Sequence, residues 1–139
     1  MPIKLTFVKD EQGEGSRELG TLSWGSSKYN VITEGYGKGA LPDGDYTVEV
    51  RKAVVGDSTT MASGFVNPAN DRGWFLPLTP LFTTARGGFG IHPDGNKPGT
   101  KGCVGLQGAD IKLFWDKWLR TSMANRPVTL TVSTQTPQS

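Results

Sequence analysis

The chain has only one cysteine and one histidine among its 139 residues. A single cysteine excludes an internal disulfide, and the lack of paired cysteine and histidine residues excludes a conventional zinc site. No apolar run approaches the ~18 residues that a membrane-spanning helix needs. Fifteen basic and thirteen acidic side chains nearly cancel. Because the basic residues form no stripe along the chain, nucleic acid is not an expected partner.

Glycine and proline, in contrast, are abundant. Nineteen glycines and nine prolines indicate many tight turns and therefore a mainly β domain. Alternating apolar residues predict strands over residues 3–8, 19–24, 46–51 and 127–132, the first two as a hairpin. Residues 73–78 are a further candidate strand, residues 29–39 are expected to be irregular, and residues 54–70 are expected to form a surface loop. Residues 1–139 form one domain, with a polar tail at 133–139.

Only one helix is predicted, from about Ala109 to Thr121, with Asp110 as its N-cap. Apolar residues recur there at the spacing of one helical face: Ile111, Phe114, Trp115, Trp118 and Leu119. An aromatic stripe of this kind indicates core packing. The predicted fold is thus β-sandwich-like and predominantly antiparallel, with one principal α-helix after the cysteine.

His92 and Cys103 lie eleven positions apart, joined by a segment rich in glycine, proline, aspartate and asparagine that predicts a loop. Apolar residues enter and leave this loop, so two strand edges would deliver an imidazole and a thiol to its mouth. Imidazole can take the proton of a thiol and leave a nucleophilic thiolate. The simpler interpretation is a buried cysteine and an unrelated histidine. Gly102, the polarity of the loop and a run of amides that could bind an oxyanion favour catalysis.

The segment Thr100-Lys101-Gly102-Cys103-Val104, preceded by Gly90-Ile91-His92, resembles the active-site signature of the L,D-transpeptidases, the YkuD-type cysteine enzymes of peptidoglycan. The segment from Ala40 to Val48 resembles a second motif of that family, in which a Pro-x-Gly turn leads into a core strand. Lys101 stands where typical members have a second histidine, and Gly105 where many have arginine or asparagine. With its short loop, the chain is similar to compact, toxin-like or phage-borne members.

The resemblance implies a β-sandwich-like L,D-transpeptidase catalytic domain that acts on peptidoglycan stem peptides without a metal or another cofactor. Cys103 would attack the peptide carbonyl, with His92 as the base and the Pro93 carbonyl orienting its ring. The backbone amides of Lys101 and Gly102 would bind the oxyanion. An amine acceptor gives cross-linking or D-amino-acid exchange, whereas water gives L,D-carboxypeptidase activity, and both remain open. The alternative is a non-catalytic module on the same fold that binds peptidoglycan or a protein.

Side chains around the motif are candidates for substrate binding: Arg86, Thr100, Lys101, Asp94 and Tyr36. Arg86 would hold a substrate carboxylate through two parallel hydrogen bonds. Lys101 would hold a carboxylate too, or lower the pKa of the thiol. The simpler interpretations are that Arg86 is a solvated loop residue, that Asp94 forms a turn, and that Tyr36 packs in the core.

The first residues, Met1-Pro2-Ile3-Lys4, lack a charged segment followed by an apolar one. No signal peptide is therefore expected, and the chain should be made in the cytoplasm. The implied substrate lies outside the inner membrane, so the chain would act in the periplasm or cell wall after delivery by a secretion or lysis system. A delivered antibacterial effector or a phage protein fits this interpretation, with a secretion-machine component or an immunity protein as partner.

Overall fold

The structure, a computed structural model, describes residues 4–9, 18–33, 41–85, 87–94 and 104–134. Its elements are, in chain order, β1 (Leu5–Lys9), β2 (Glu18–Trp24), β3 (Ser27–Thr33), β4 (Gly44–Val48), β5 (Val54–Gly56), β6 (Val66–Asn67), β7 (Arg72–Pro80), β8 (Gly90–Pro93), β9 (Val104–Leu106), α1 (Asp110–Arg120) and β10 (Thr129–Thr134). Short 3-10 turns cover Val50–Lys52, Ser63–Phe65 and Met123–Asn125. None of the helical segments in these ranges is both long and apolar enough to cross a membrane.

Eight strands form a closed ring in the order β4-β10-β1-β2-β3-β9-β8-β7, and β7 pairs back with β4. The short strands β5 and β6 pair with β7 outside this ring. Among the strand pairs that the structure describes, β1–β10 and β8–β9 are parallel and the others antiparallel. The mainly β class and the single principal α-helix are confirmed, but the strands form a barrel where the sequence predicts a sandwich-like arrangement. The pairing of Val48 with Leu78 closes the ring, and closure leaves it without free edges.

The predicted opening hairpin is present, since β1 pairs with β2. The expectation of irregular structure after it is wrong for residues 29–33, because they belong to β3, which pairs with β2. Gly25 and Ser26 join these two strands, and Gly25 has a φ of 60°. Glycine at the first position of a two-residue hairpin loop is typical of a type II′ turn, so the signal for β3 was the Gly-Ser pair.

Strand β7 extends the predicted strand at 73–78 and passes through Pro77 without ending. The N–H of Leu78 donates to the Phe89 carbonyl on the β8 side, so the nitrogen of Pro77 faces the opposite side. There the neighbour of β7 changes from β5, at Phe75, to β4, at Leu78. Proline is tolerated at this junction because it interrupts neither the β5–β7 pairing nor the β4–β7 pairing.

The barrel interior and α1 share one aromatic core, which we call the inner aromatic cluster. Its members are Trp24, Tyr29, Trp74, Phe114, Trp115 and Trp118, each at most 8% exposed. Neighbouring rings in this cluster have centroids 4.6–6.3 Å apart. The predicted buried face of the helix is confirmed except at Leu119, which is 51% exposed. Leu119 lies about 90° around the helix from the centre of that face, because each residue turns the helix by about 100°.

Asp110 is not the N-cap of α1. The helix begins at Asp110 itself, and the preceding Ala109 provides no side-chain cap. The Asp110 carboxylate instead accepts a hydrogen bond from the backbone N–H of Asn30, 2.8 Å away. The side chain thus links the first turn of the helix to β3, where its negative charge also favours the positive end of the helix dipole.

Candidate active site

The candidate site lies on the outer face of the parallel pair β8–β9. Ile91 pairs with Val104, and His92 pairs with Gly105. Ile91 and Val104 are both core residues with no exposed surface. Because successive side chains of a strand point to opposite faces of a sheet, His92 points away from the barrel interior. Its strand lies beside β9, whose first residue directly follows Cys103 in the sequence.

The imidazole of His92 is covered by two phenylalanine rings, and we call these three residues the histidine cluster. The Phe65 ring meets it edge-on with centroids 4.6 Å apart, and the Phe75 ring lies nearly parallel to it at 5.9 Å. Only 3% of His92 is exposed. Gly90 permits this arrangement, since a Cβ at that position would overlap the Phe75 ring. The cluster therefore depends on a residue without a side chain in β8.

The orientation of the His92 ring is defined by one hydrogen bond. Nδ1 lies 2.6 Å from the carbonyl oxygen of Pro93. A carbonyl oxygen only accepts hydrogen bonds, so Nδ1 carries the proton and donates it. In the neutral ring Nε2 then holds the lone pair. The structure thus shows the partner that the resemblance implies for the ring, whereas the catalytic role of the Pro93 carbonyl stays a prediction.

Burial determines the protonation state of His92. Removal of the ring from water lowers its pKa from 6.5 to about 4, and the hydrogen bond to the Pro93 carbonyl opposes this shift only in part. Desolvation acts in this direction because the imidazolium is the charged form. At pH 7 the ring is therefore neutral, and Nε2 can accept a proton.

Asp94 follows directly after β8 and is 9% exposed. One of its carboxylate oxygens, Oδ2, accepts a hydrogen bond of 2.7 Å from Nε2 of Gln107, and its backbone N–H donates to the Leu106 carbonyl. Nε2 of Gln107 also donates to the Gly105 carbonyl at 2.9 Å. These bonds hold the ends of β8 and β9 together, so Asp94 has a structural role here. Its contact with substrate stays a prediction.

The second motif leads into a core strand, as predicted. Tyr46 on β4 has no exposed surface, and its hydroxyl donates to the Pro42 carbonyl at 2.6 Å. The backbone N–H of Leu41 donates to Oγ1 of Thr33, and the Leu41 carbonyl accepts from Nζ of Lys9. The described part of this segment is thereby attached to β1 and β3 at one end of the barrel.

The remaining predicted site residues lie outside the described ranges: Tyr36, Arg86, Thr100, Lys101, Gly102 and Cys103. The distance between the Cys103 sulfur and the imidazole, the oxyanion amides and the proposed carboxylate contacts therefore stay predictions. Within the described ranges, no three histidine, cysteine, aspartate or glutamate side chains are grouped as metal ligands.

Sequence reasoning missed the two phenylalanines of the histidine cluster. For Phe75 a signal existed, because it alternates with the buried residues Trp74 and Leu76 and so must point to the opposite face of its strand. Phe65 follows a segment without periodicity, in a 3-10 turn. Its contact with His92 joins residues 27 positions apart and depends on the fold.

Comparison of the chain with protein-family models, with curated proteins and with solved structures gives no match. The function of the chain is therefore inferred from its motifs and from the geometry of the described residues.

Proposed function

We propose that this chain is a cysteine acyl-transfer enzyme of the L,D-transpeptidase type that acts on peptidoglycan stem peptides. The observation that carries the proposal is the state of His92. Its Nδ1–H is bonded to the Pro93 carbonyl, its Nε2 is unprotonated at pH 7, and it lies on the strand next to β9. A neutral imidazole with one nitrogen engaged by a fixed acceptor is what a general base requires.

The order of residues supports the pairing of this base with Cys103. Cys103 directly precedes Val104 in the sequence. Val104 pairs with Ile91, the residue before His92, and neighbouring strands lie about 4.8 Å apart. The only cysteine of the sequence is therefore the neighbour of a residue whose strand pairs with the strand of the only histidine.

In the proposed reaction, the Cys103 sulfur attacks the carbonyl carbon that precedes the terminal D-alanine. The thiol proton passes to Nε2 of His92 and then to the leaving amine as the C–N bond breaks, which leaves a thioester. His92 next takes a proton from the acceptor, which attacks the thioester and releases Cys103 as the thiol. The backbone amides of Lys101 and Gly102 would stabilise the oxyanion, a role commonly worth ~3 kcal/mol per donor.

The low pKa of His92 affects the step at which the thiol proton is transferred. An ordinary thiol has a pKa of about 8.5, far above the value of about 4 for the buried imidazole. Such a difference favours the neutral thiol and imidazole over a thiolate and imidazolium in the resting enzyme. The proton would therefore be transferred as the sulfur attacks, and the buried imidazolium would exist only until the leaving amine takes the proton.

The decisive experiment is mass spectrometry of purified muropeptides after incubation with the protein. Loss of the terminal D-alanine from tetrapeptide stems is expected, and the products distinguish cross-linking, exchange and hydrolysis. Cys103→Ala should abolish turnover, and His92→Ala should be nearly as damaging because the thiol loses its base. Lys101→Ala is the matched control, since it keeps the backbone amide and should have a milder effect. Full activity of Cys103→Ala would show that Cys103 is not the nucleophile.

The competing proposal is a non-catalytic module that binds peptidoglycan or a protein. It predicts unchanged muropeptides with the unchanged protein as well as with Cys103→Ala. The enzyme proposal includes delivery to the periplasm or cell wall by a secretion or lysis system. It also includes an immunity protein as a partner.

A further inference from the structure

The ladder between β8 and β9, which carries the proposed base, is short. The two strands pair at three register positions, whereas β2 and β3 pair at seven. His92 and Gly105 form the central pair of the three. Because few backbone contacts fix the two strands relative to each other, a side chain that bridges their ends has a large effect on the position of His92.

Gln107 provides such a bridge through a single nitrogen. Its Nε2 donates to Oδ2 of Asp94 at 2.7 Å and to the carbonyl oxygen of Gly105 at 2.9 Å. Both partners are oxygens, so these bonds assign the side-chain amide and use both of its N–H groups. A bond to a carboxylate is charge-assisted and stronger than a bond between neutral groups. The side chain thus joins the residue after β8 to the backbone of β9.

The backbone at both ends of the bridge is held in place by further hydrogen bonds. The N–H of Gln107 donates to the Asn30 carbonyl on β3, and the N–H of Asp94 donates to the Leu106 carbonyl on β9. Asp94 is buried and Gln107 is half-buried. The bridge is therefore anchored to the barrel and transmits its position to the end of β8.

The bridge lies close to the candidate active site. Asp94 follows His92 by two residues, and Gln107 follows the partner of His92 by two. At roughly 3.3 Å per residue, the bridge is about 6.6 Å along the strands from the imidazole. We infer that Gln107 is a positioning residue, which fixes the strand of His92 relative to the strand that follows Cys103. This inference rests on the proposed function.

The first measurement compares amide hydrogen exchange in the unchanged protein and in Gln107→Met, which has a similar length and lacks both hydrogen bonds. The protection factor of the Asp94 N–H, which donates to the Leu106 carbonyl, should fall by about tenfold, the size of one lost hydrogen bond. The N–H at position 107 donates to the Asn30 carbonyl and should keep its protection. That second signal shows that the variant is folded.

The second measurement is muropeptide turnover by the same variant. Gln107→Met should lower kcat by about tenfold and leave KM nearly unchanged, because a small misplacement of reacting groups slows the reaction without weakening binding. Asn125→Leu is the matched control. It removes an amide that donates to Oγ of Ser122 within one turn, so neither the protection factor at position 94 nor kcat should change.

A swap of the two bonded groups tests the bridge itself. Gln107→Glu removes the donor and brings two carboxylates together, so the protection factor at position 94 should fall further than in Gln107→Met. Combined with Asp94→Asn, the same substitution places a donor at position 94 opposite an acceptor at position 107. The double variant should recover part of the protection, a coupling that would be absent if Gln107 only filled space.

Three results would overturn the inference: an unchanged protection factor in Gln107→Met, an unchanged kcat in that variant, or no recovery in the double variant. If the unchanged protein leaves muropeptides intact, the proposed function fails and the inference fails with it. If the unchanged protein is active and Gln107→Met equals it, the inference alone fails. Gln107→Glu and the double variant allow the test if Gln107→Met does not fold.

Discussion

The inner aromatic cluster and the histidine cluster have similar ring contacts and different consequences. Both combine edge-on and stacked rings at centroid distances of 4.6–6.3 Å. In the inner cluster every member is at most 8% exposed, and the contacts contribute to the free energy of unfolding through burial of apolar surface. In the histidine cluster the half-buried Phe65 and Phe75 cover a titratable ring. Aromatic packing on the outer face of this barrel thus buries the imidazole and lowers its pKa.

The largest effect is expected from the inner cluster. Trp118 has no exposed surface, and its ring contacts Trp24, Phe114 and Trp115. Trp118→Ala should lower the free energy of unfolding by about 3–5 kcal/mol, because the transfer of the side chain and the cavity both contribute. Urea unfolding followed by circular dichroism measures this change.

Leu119→Ala is the matched control on the same helix. Leu119 is half exposed, so its truncation should cost less than about 1 kcal/mol. Equal costs for the two variants would contradict the assignment of the buried helix face. Trp118→Phe retains a ring and allows the measurement if the alanine variant does not fold.

The second prediction concerns the pH dependence of stability. The pKa of His92 is 6.5 in the unfolded chain and about 4 in the folded one. Below pH 6.5 the unfolded state binds a proton that the folded state does not, so stability is complete above pH 6.5 and falls as the pH falls toward 4. Between pH 7 and pH 4 the loss from this residue should be about 3 kcal/mol. Urea unfolding at the two pH values measures it.

His92→Gln is the control for the pH experiment, because glutamine does not titrate. Carboxylates also change stability in this range, but their contribution is common to both proteins. The difference between the proteins therefore reports His92 alone. The same pH dependence in His92→Gln and in the unchanged protein would contradict the assignment of the buried neutral imidazole.

The smallest change in the free energy of unfolding is expected from a substitution of Phe65. The same substitution should change the pKa of His92. Phe65→Leu should lower the free energy of unfolding by about 1 kcal/mol, since the residue is only half-buried. The pKa of His92 should rise from about 4 toward 6.5, because water gains access to the ring. A proton NMR titration measures this directly, since the chain has one histidine.

Phe82→Leu separates this effect from general loosening of the fold. Phe82 is another half-buried phenylalanine, and its ring packs on Tyr46 at 5.3 Å, away from the histidine cluster. Its variant should leave the pKa of His92 unchanged. A similar rise in both variants would show that Phe65 does not cover the imidazole specifically.

The spacing of apolar residues predicted the strands and the helix that bury one face in the core. The hairpin β1–β2, the strands β4, β7 and β10, and the helix α1 all follow such patterns. Periodicity could not predict closure of the barrel, because β4 and β7 pair across about thirty positions and no local signal specifies that register. Leu119 was misassigned because it lies at the margin of the helix face, about 90° from its centre. Asp110 was misassigned because its carboxylate accepts a hydrogen bond from the neighbouring strand β3.

The contacts of the candidate site that join residues adjacent in the sequence could be predicted. The hydrogen bond from His92 to Pro93 joins consecutive residues, so the motif alone indicated it. The contact with Phe65 depends on how the 3-10 turn at Ser63–Phe65 crosses β8, and that information is absent from the motif. The low pKa follows from this burial, so it too became visible only in the structure.

The position of β10 has a consequence for the order of folding during synthesis. The last described strand lies between β1 and β4, parallel to the first described strand, with Leu5 opposite Leu130. Until β10 leaves the ribosome, the edges of β1 and β4 have no partner there and can pair with another chain. Contacts between residues this distant in sequence also slow folding, since a long loop must close first. A nascent chain should therefore depend on β10 for protection against aggregation.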